Sequence, residues 1–181
     1  MDGSVGKSFA YGAIGGRFLV QGNADSRFCV RLSGADVVLG GELRGRVEDD
    51  LGMLATRANA KGYAFEYMTG GRAIVVGDAG PWICSGMSGG VVYLRHAPEL
   101  GLDDAALRRR LAKGANVVVL PLSAQGVTDV RELLGDYHQA LVKSEQPSAA
   151  RRIAELLVDP ASHFRMVLPV AQQVDPGVST E

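Results

Sequence analysis

Short apolar runs separated by turn residues make up most of the first half of the chain. Four of them are rich in β-branched or aromatic residues and lie at Phe18–Val20, Val37–Leu39, Ile74–Val76 and Val91–Leu94. Each run is too short for a helix and is bounded by glycine or polar residues, so each predicts a β-strand.

The same half of the chain repeats itself. When the sequence is shifted by 55 positions, residues 15–39 align with residues 70–94 without a gap, and eleven of the 25 aligned positions are identical. The identities include Arg17 with Arg72 and Cys29 with Cys84. An identity this dense over a fixed offset indicates an internal structural repeat.

Glycines subdivide this repeat. Gly16, Gly34, Gly52, Gly71 and Gly89 follow one another at steps of 18, 18, 19 and 18 residues. A strand followed by a glycine turn at such a period is typical of a solenoid, because a turn with positive φ recurs in every coil. The sequence therefore predicts a mainly β fold, a right-handed parallel β-helix with about 18–19 residues per coil.

The weakest part of the pattern is residues 41–66, which are polar and lack a clear apolar strand. Two interpretations are open: a true coil with a protruding loop, or an insertion that happens to keep the period. The continued glycine spacing favours the coil.

Helical periodicity replaces the repeat after Leu94. Amphipathic stretches predict helices at 105–113, 129–142 and 148–158, with strands at 117–120 and 164–168. We therefore expect two domains, a parallel β-helix over residues 1–97 and a C-terminal α-helical cap and tail over residues 98–181.

Composition is that of a globular protein with a surplus of glycine. The 181 residues are 46% hydrophobic and 22% charged, with 24 glycines against 7 prolines. The formal net charge of −1 provides no global attraction for nucleic acid. No apolar run approaches the roughly 18 residues that a membrane span needs. We expect a cytoplasmic protein that contacts neither nucleic acid nor membrane.

The cysteines do not indicate chemistry. Cys29 and Cys84 occupy equivalent positions three predicted coils apart, which places them about 14 Å from each other. A disulfide requires Cα atoms within about 7 Å. We therefore expect two free thiols that face the core.

No catalytic, cofactor-binding or metal-binding residue is predicted. The histidines His96, His138 and His163 stand apart from one another and from acidic residues in ligand spacing. The segment Gly3–Ser8 looks like the end of a phosphate loop, but Met1 stands where the pattern requires its first glycine.

The recurring Arg17 and Arg72 leave two interpretations open. Two arginines in register suggest an anion site, but their place beside a repeated turn favours stacking or a contact with carbonyl oxygens.

The repeat resembles a known family. GAIGGRFLVQGNADSRFCVRLSGA, then FEYMTGGRAIVVGDAGPWICSGMSGGVVYL, and near the C-terminus ELLGDYHQALVKSEQPSAARRIAELL resemble the glycine-repeat (GXGXG) domain that ends the large subunit of glutamate synthase. That domain is related to one of the subunits of formylmethanofuran dehydrogenase. The distance from Gly34 to Gly70 is about one coil longer here than in the family.

The resemblance implies a structural role without catalytic residues. It implies partners, a glutaminase-like unit and an FMN-binding synthase-like unit, and it places FMN and an iron–sulfur cluster in those partners, with no cofactor in this chain. A homo-oligomer is possible. One alternative is a β-helix subunit of a formylmethanofuran dehydrogenase or formyltransferase-type complex. Another is a hexapeptide-like acyltransferase, but no small aliphatic residue recurs at every sixth position.

Exposed coil ends also favour an assembly. The helices after residue 103 can cover one end of the predicted solenoid, whereas residues 1–11 contain few apolar side chains for the other end. Bare strand edges invite association, so we expect the chain to work within a larger complex.

Overall fold

A computed structural model describes residues 3–47 and 58–173. Within these residues six strands form a single mixed sheet in the order β1-β2-β3-β4-β6-β5. The strands are β1 (Arg17–Val20), β2 (Asp36–Leu39), β3 (Thr69–Val75), β4 (Gly89–Arg95), β5 (Val117–Pro121) and β6 (Phe164–Pro169).

The four helices of the described residues all follow β4. They are α1 (Asp104–Arg110), α2 (Ala124–Lys143), α3 (Pro147–Val158) and α4 (Pro160–His163). Asp103 begins α1 and Ser123 begins α2, each accepting a hydrogen bond from a backbone N–H three residues later, as N-cap residues do. The amphipathic pattern therefore located the long helices correctly, with α2 beginning five residues earlier than the pattern predicts.

The predicted right-handed parallel β-helix is wrong. Only β1 to β4 pair in parallel; β6 pairs antiparallel with β4, and β5 pairs antiparallel with β6. Each sequence repeat supplies a single strand to the sheet and returns through irregular turns. Those turns are joined by backbone hydrogen bonds and by isolated bridges such as Val5 with Ala24 and Ala24 with Ala60, but they form no further strand among the described residues. The fold is a mixed α/β sheet, because the repeat supplies only the parallel strands β1 to β4. The antiparallel strands β5 and β6 and the helices come from the rest of the chain.

The expectation of a true coil in residues 41–66 is also wrong. Asp36 of β2 pairs directly with Arg72 of β3, 36 residues away, so no strand lies between them. The neighbouring pairs, Arg17 with Asp36 and Arg72 with Val91, are each 19 residues apart. The additional residues thus lie within the single connection from β2 to β3. Gly52, which the glycine spacing includes, lies outside the described residues.

The remaining glycines of the spacing do not form one column. Gly71 has a φ of +84° and Gly16 a φ of +89°, in the left-handed region that favours glycine. Gly34 and Gly89 lack a positive φ; at each, a Cβ would collide with a carbonyl oxygen of the preceding layer, Ile14 or Thr69. The regular glycine spacing therefore combines two different steric requirements, a positive φ at Gly16 and Gly71 and a nearby carbonyl oxygen at Gly34 and Gly89.

Both faces of the central strands of the sheet are buried. On β2, β3 and β4 alternate residues point to opposite faces, as strand geometry requires. Val37, Val75 and Val92 belong to a core shared with the turns, whereas Ile74 and Tyr93 belong to a second core against α2 and α3. Strands covered on both sides read as continuous apolar runs, which is what the sequence shows.

Among the described residues, no helix is long and apolar enough to cross a membrane.

Candidate interaction surface

The turns opposite the sheet form four stacked layers, which we call the turn stack. It comprises residues 8–12, 27–31, 63–67 and 82–86. Backbone hydrogen bonds join successive layers, for example Cys29 N–H to Phe9 O at 2.9 Å and Cys84 N–H to Ala64 O at 2.9 Å. Each layer repeats the conformation of the one before it.

Every layer of the turn stack holds three alternate residues with positive φ. Ten of the eleven non-glycine residues with positive φ in the described part of the chain lie here, namely Ser8, Ala10, Arg27, Cys29, Arg31, Tyr63, Phe65, Tyr67, Trp82 and Cys84. A side chain in this conformation costs about 1–2 kcal/mol relative to glycine. The stack is therefore strained, and neighbouring layers must hold it in place.

The middle member of each triplet faces the core, while the outer members face solvent. Cys29, Phe65 and Cys84 are fully buried. The ring of Phe28 lies between those of Phe9 and Phe65, with centroid distances of 6.2 and 5.9 Å. Aromatic packing of this kind stabilises the inner side of the turn stack.

Three aromatic side chains lie on the outer side of the turn stack: Tyr63, Tyr67 and Trp82. These three side chains are 43%, 55% and 42% exposed, respectively. Together with Arg27 and Arg31 we call them the aromatic ridge. The rings of Tyr63 and Trp82 stack at a centroid distance of 5.0 Å. Large aromatic side chains half exposed to water are typical of protein interfaces.

Gly86 makes room for Tyr67. A Cβ at Gly86 would lie 2.6 Å from Cδ1 of the Tyr67 ring. At the equivalent position of the previous layer stands Tyr67 itself, with a φ of 55°. The ridge thus keeps an aromatic ring at a position where glycine would be unstrained.

Arg27 and Arg31 occupy the positions below Tyr63 and Tyr67. Both are exposed, and among the described residues neither guanidinium has an acidic partner. The ridge therefore offers aromatic surface beside two positive charges that nothing described neutralises. Arginine and tyrosine or tryptophan together are the residue types that dominate binding energy at interfaces.

A second cluster fastens α2 to the sheet. Asp36 accepts hydrogen bonds from Arg72 at 2.7 and 2.9 Å and from Arg17 at 2.8 Å. The same arginines reach α2, where Arg72 contacts Asp129 at 3.0 Å and both contact Glu132. The two arginines are thus occupied by carboxylates, so the anion-site interpretation is not supported, and the expected carbonyl or stacking contact is replaced by ion pairs.

These contacts set the ionisation of the cluster. Burial alone raises the pKa of Asp36, but the hydrogen bonds from Arg72 and Arg17 outweigh it and hold that pKa below its usual value. Hydrogen bonds from Arg72 and then Arg17 lower the pKa of Glu132 in the same way. Burial, with a hydrogen bond to Asp129 at 2.6 Å, raises the pKa of Tyr93.

A buried ladder of polar side chains crosses the other end of the sheet. Asn59 donates to Asn23 Oδ1 at 2.7 Å and accepts from the Asp78 backbone N–H at 2.7 Å. Asp78 in turn holds Arg110 of α1 by two hydrogen bonds of 2.7 and 2.8 Å, and Arg110 is 0% exposed. Both ions are satisfied, which is the condition for burying a charge pair.

Both cysteines are free and buried, as expected. Burial raises the pKa of each thiol, so neither is a reactive thiolate.

The other residues weighed from the sequence serve local structure. Gly3–Ser8 leads into the first layer of the turn stack, and Val5 within it forms a bridge with Ala24. His96 Nδ1 lies 3.2 Å from the Ser162 carbonyl oxygen, and His163 Nδ1 lies 3.4 Å from the Arg95 guanidinium. No group of three or more His, Cys, Asp or Glu residues able to hold a metal ion occurs within residues 3–47 and 58–173.

Sequence reasoning missed the aromatic ridge. Tyr63, Tyr67 and Trp82 are not adjacent in sequence, and the offset of 55 does not superimpose them. The 19-residue step between the last two layers would have aligned Tyr63 with Trp82 and Tyr67 with Gly86, but that step is visible only once the pairing is known.

The described residues thus combine a stack of strained turns, a mixed α/β sheet and an exposed aromatic ridge. The model of the GXGXG motif family matches residues 51–170. The chain belongs to the GXGXG motif family.

Its relatives are glutamate synthases. The ferredoxin-dependent glutamate synthase of Cyanidium caldarium is 36% identical over 123 residues, which are 65% of this chain and 7% of that protein. The chloroplastic ferredoxin-dependent glutamate synthase 2 of Arabidopsis thaliana is 27% identical over 177 residues, 98% of this chain and 9% of that protein. The large chain of NADPH glutamate synthase from Bacillus subtilis is 37% identical over 90 residues, 50% of this chain and 5% of that protein. The chain thus spans less than a tenth of the length of these relatives.

Proposed function

We propose that this chain is a non-catalytic structural module of a glutamate synthase-type assembly, in which it holds a glutaminase-like unit and an FMN-binding, iron–sulfur synthase-like unit. The relatives support this proposal, because the matching region is a small fraction of each glutamate synthase. FMN and the iron–sulfur cluster belong to the partner units in this proposal.

The aromatic ridge is the observation that carries the proposal. Trp82, Tyr63 and Tyr67 occupy a strained backbone conformation and remain about half exposed, so folding of the chain alone gains little from them. A partner that covers these rings and pairs with Arg27 and Arg31 would gain the aromatic and cationic contacts that dominate binding energy at interfaces. No observation favours the formylmethanofuran dehydrogenase or acyltransferase alternatives.

Substitution of Trp82 by glycine tests the proposal. Glycine relieves the strain at a φ of 59° but removes the ring that stacks on Tyr63, so the two effects on the unfolding temperature of the isolated chain oppose each other and the chain should remain folded. Association with the co-expressed glutaminase-like and synthase-like units from the same genome should nevertheless weaken by about tenfold or more, as at a central interface residue. Size-exclusion chromatography with light scattering and a titration would measure both.

A matched control is Val158→Ser, because Val158 is 79% exposed on α3 and outside the ridge. It should leave association unchanged. A wild-type chain that stays monomeric in the presence of both units would contradict the proposed role. If the chain instead associated with formylmethanofuran dehydrogenase-type units, the alternative assembly would be supported. The isolated chain is expected to show neither flavin absorbance nor glutamine hydrolysis.

A further inference from the structure

A polar cleft of about 490 Å³ lies where β1 and β2 end. None of the described residues that line it belongs to the aromatic ridge. The residues that follow the strands, 21–23 and 40–42, form one side, and Arg152 of α3 stands on the other. The carboxyl ends of parallel strands are a common place for ligands, and this volume is within the range of small-molecule sites.

Asn23 presents a hydrogen-bond donor to the cleft. Asn59 is 7% exposed, and its hydrogen bonds fix the orientation of its side-chain amide. Its Oδ1 accepts from the Asp78 backbone N–H, and its Nδ2 donates to Asn23 Oδ1, in each case at 2.7 Å. Asn23 Oδ1 is therefore the acceptor. Its Nδ2 is left as a donor that no described residue accepts, on an exposed side chain that lines the cleft.

The backbone adds two more donors. The N–H groups of Gly41 and Glu42 make no hydrogen bond to the described residues, although both residues line the cleft. Gly41 is also sterically required, since a Cβ there would lie 2.8 Å from the Gly22 carbonyl oxygen and 2.9 Å from Asn59 Nδ2. Unpaired backbone N–H groups beside a polar cleft bind negative oxygen atoms well.

The described residues that line the cleft carry a net positive charge. Glu42 forms an ion pair with Arg152, which neutralises the only carboxylate among the described residues that line the cleft. Arg44 is exposed, lines the same cleft and has no acidic partner among the described residues. One positive charge is therefore left over.

We propose that this cleft binds a small anion, a carboxylate or a phosphate, through Arg44, Asn23 Nδ2 and the N–H groups of Gly41 and Glu42. The proposal is independent of the structural role proposed above, because it concerns other residues and needs no partner unit. Charge-assisted hydrogen bonds from a guanidinium and from backbone N–H groups are the usual recognition of both anions.

Titration of the full chain, labelled with ¹⁵N, against inorganic phosphate and separately against succinate tests the proposal. We expect saturable NMR shifts at the Gly41 and Glu42 amides and the Asn23 side-chain amide, with a Kd on the order of 1 mM for at least one anion. Neutral succinamide should cause none. Saturation by phosphate alone, by succinate alone or by both supports the site and identifies the ligand class.

Two variants and one control make the result specific. Arg44→Gln removes the free charge, and Asn23→Asp keeps the acceptor for Asn59 but replaces the donor with a negative oxygen, so each should weaken binding by about tenfold or more. Arg131→Gln removes an exposed arginine of α2 that has no acidic partner among the described residues and lies outside the cleft and the ridge, so it should leave the Kd unchanged. Absence of saturation with both anions, or equal weakening by Arg131→Gln and Arg44→Gln, would overturn the proposal.

Discussion

At Gly71 the backbone takes a conformation that only glycine adopts without strain. Its φ is +84°, and a Cβ there would lie 2.5 Å from the Ala35 carbonyl oxygen of the preceding strand layer. Conformation and space therefore both exclude a side chain at this residue.

We expect Gly71→Val to lower the free energy of unfolding by several kcal/mol, combining about 1–3 kcal/mol of backbone strain with the steric clash. Urea denaturation would measure the change. Gly135→Ala is the control, because Gly135 lies inside α2 with nothing within 4 Å of an added Cβ, and it should stabilise the chain by about 0.5–1 kcal/mol. Equal effects of the two substitutions would be inconsistent with this account of Gly71.

Asp36 predicts a pH dependence. Its folded pKa lies below the unfolded value of about 3.9. Its contribution to stability is therefore complete above about pH 4 and is lost as the pH falls through the folded pKa. Asp36→Asn should cost about 1–3 kcal/mol at pH 7, because Arg17 and Arg72 lose a charged acceptor, and the cost should shrink in more acidic solution.

Denaturation of wild type and variant between pH 7 and pH 2.5, roughly spanning the titration range of carboxylates, would measure this dependence. Glu155→Gln, at an exposed residue of α3 without an ion pair to the described residues, should change stability little at any pH. A cost of Asp36→Asn that is the same at every pH would show that the ion pairs do not carry it.

Among the elements, α1 is tied to the segment that follows β3 by a buried ion pair. Arg110 at its last position donates twice to Asp78, and it also donates to the Ala106 carbonyl oxygen at 2.8 Å. The two preceding arginines differ from it, because Arg108 and Arg109 are exposed whereas Arg110 is buried.

Arg110→Met should destabilise the chain by about 3–5 kcal/mol, since it leaves the Asp78 carboxylate buried without its counter-ion. Adding Asp78→Asn should recover part of this loss, because the neutral amide is less costly to bury. A thermal or urea double-mutant cycle would measure the coupling. A double variant that loses the sum of the two single effects would mean that the ion pair is not a unit.

For the whole molecule, the sheet joins the two halves of the chain. β6 and β5, from the second half, extend the parallel strands of the first, and Tyr93 of β4 donates to Asp129 of α2. Residues so connected are expected to unfold together. The predicted division into residues 1–97 and 98–181 stays a prediction, and the thiols allow it to be tested.

Cys29 and Cys84 lie in the first half, whereas all helices of the described residues lie in the second. Because both thiols are buried with raised pKa, labelling by an aromatic disulfide should require unfolding of the first half. We expect the urea midpoint of thiol labelling to coincide with that of helix loss followed by circular dichroism. Helix loss at clearly lower urea, with the thiols still protected, would show two separately stable domains.

The sequence by itself determined the local elements and the family resemblance. The short runs became β1 to β4, the amphipathic stretches became α1 to α3, and the repeat predicted that Arg17 and Arg72 share a column, which the shared partner Asp36 confirms. Such features depend on residues near in sequence, through strand alternation, helical periodicity and capping. The resemblance to glutamate synthases rests on the same local motifs.

Only the tertiary structure decided the pairing of those elements. That β2 pairs with β3 across 36 residues, that β6 and β5 close the sheet in antiparallel direction, and that Arg72 reaches Asp129 depend on contacts between distant residues. The repeat period constrains the strand and turn of each repeat, but not the element that packs on the other face of the strands. In this chain α2 and α3 pack on that face. The same holds for the aromatic ridge, since a half-exposed tryptophan with positive φ is recognisable only when its neighbouring layers are in place.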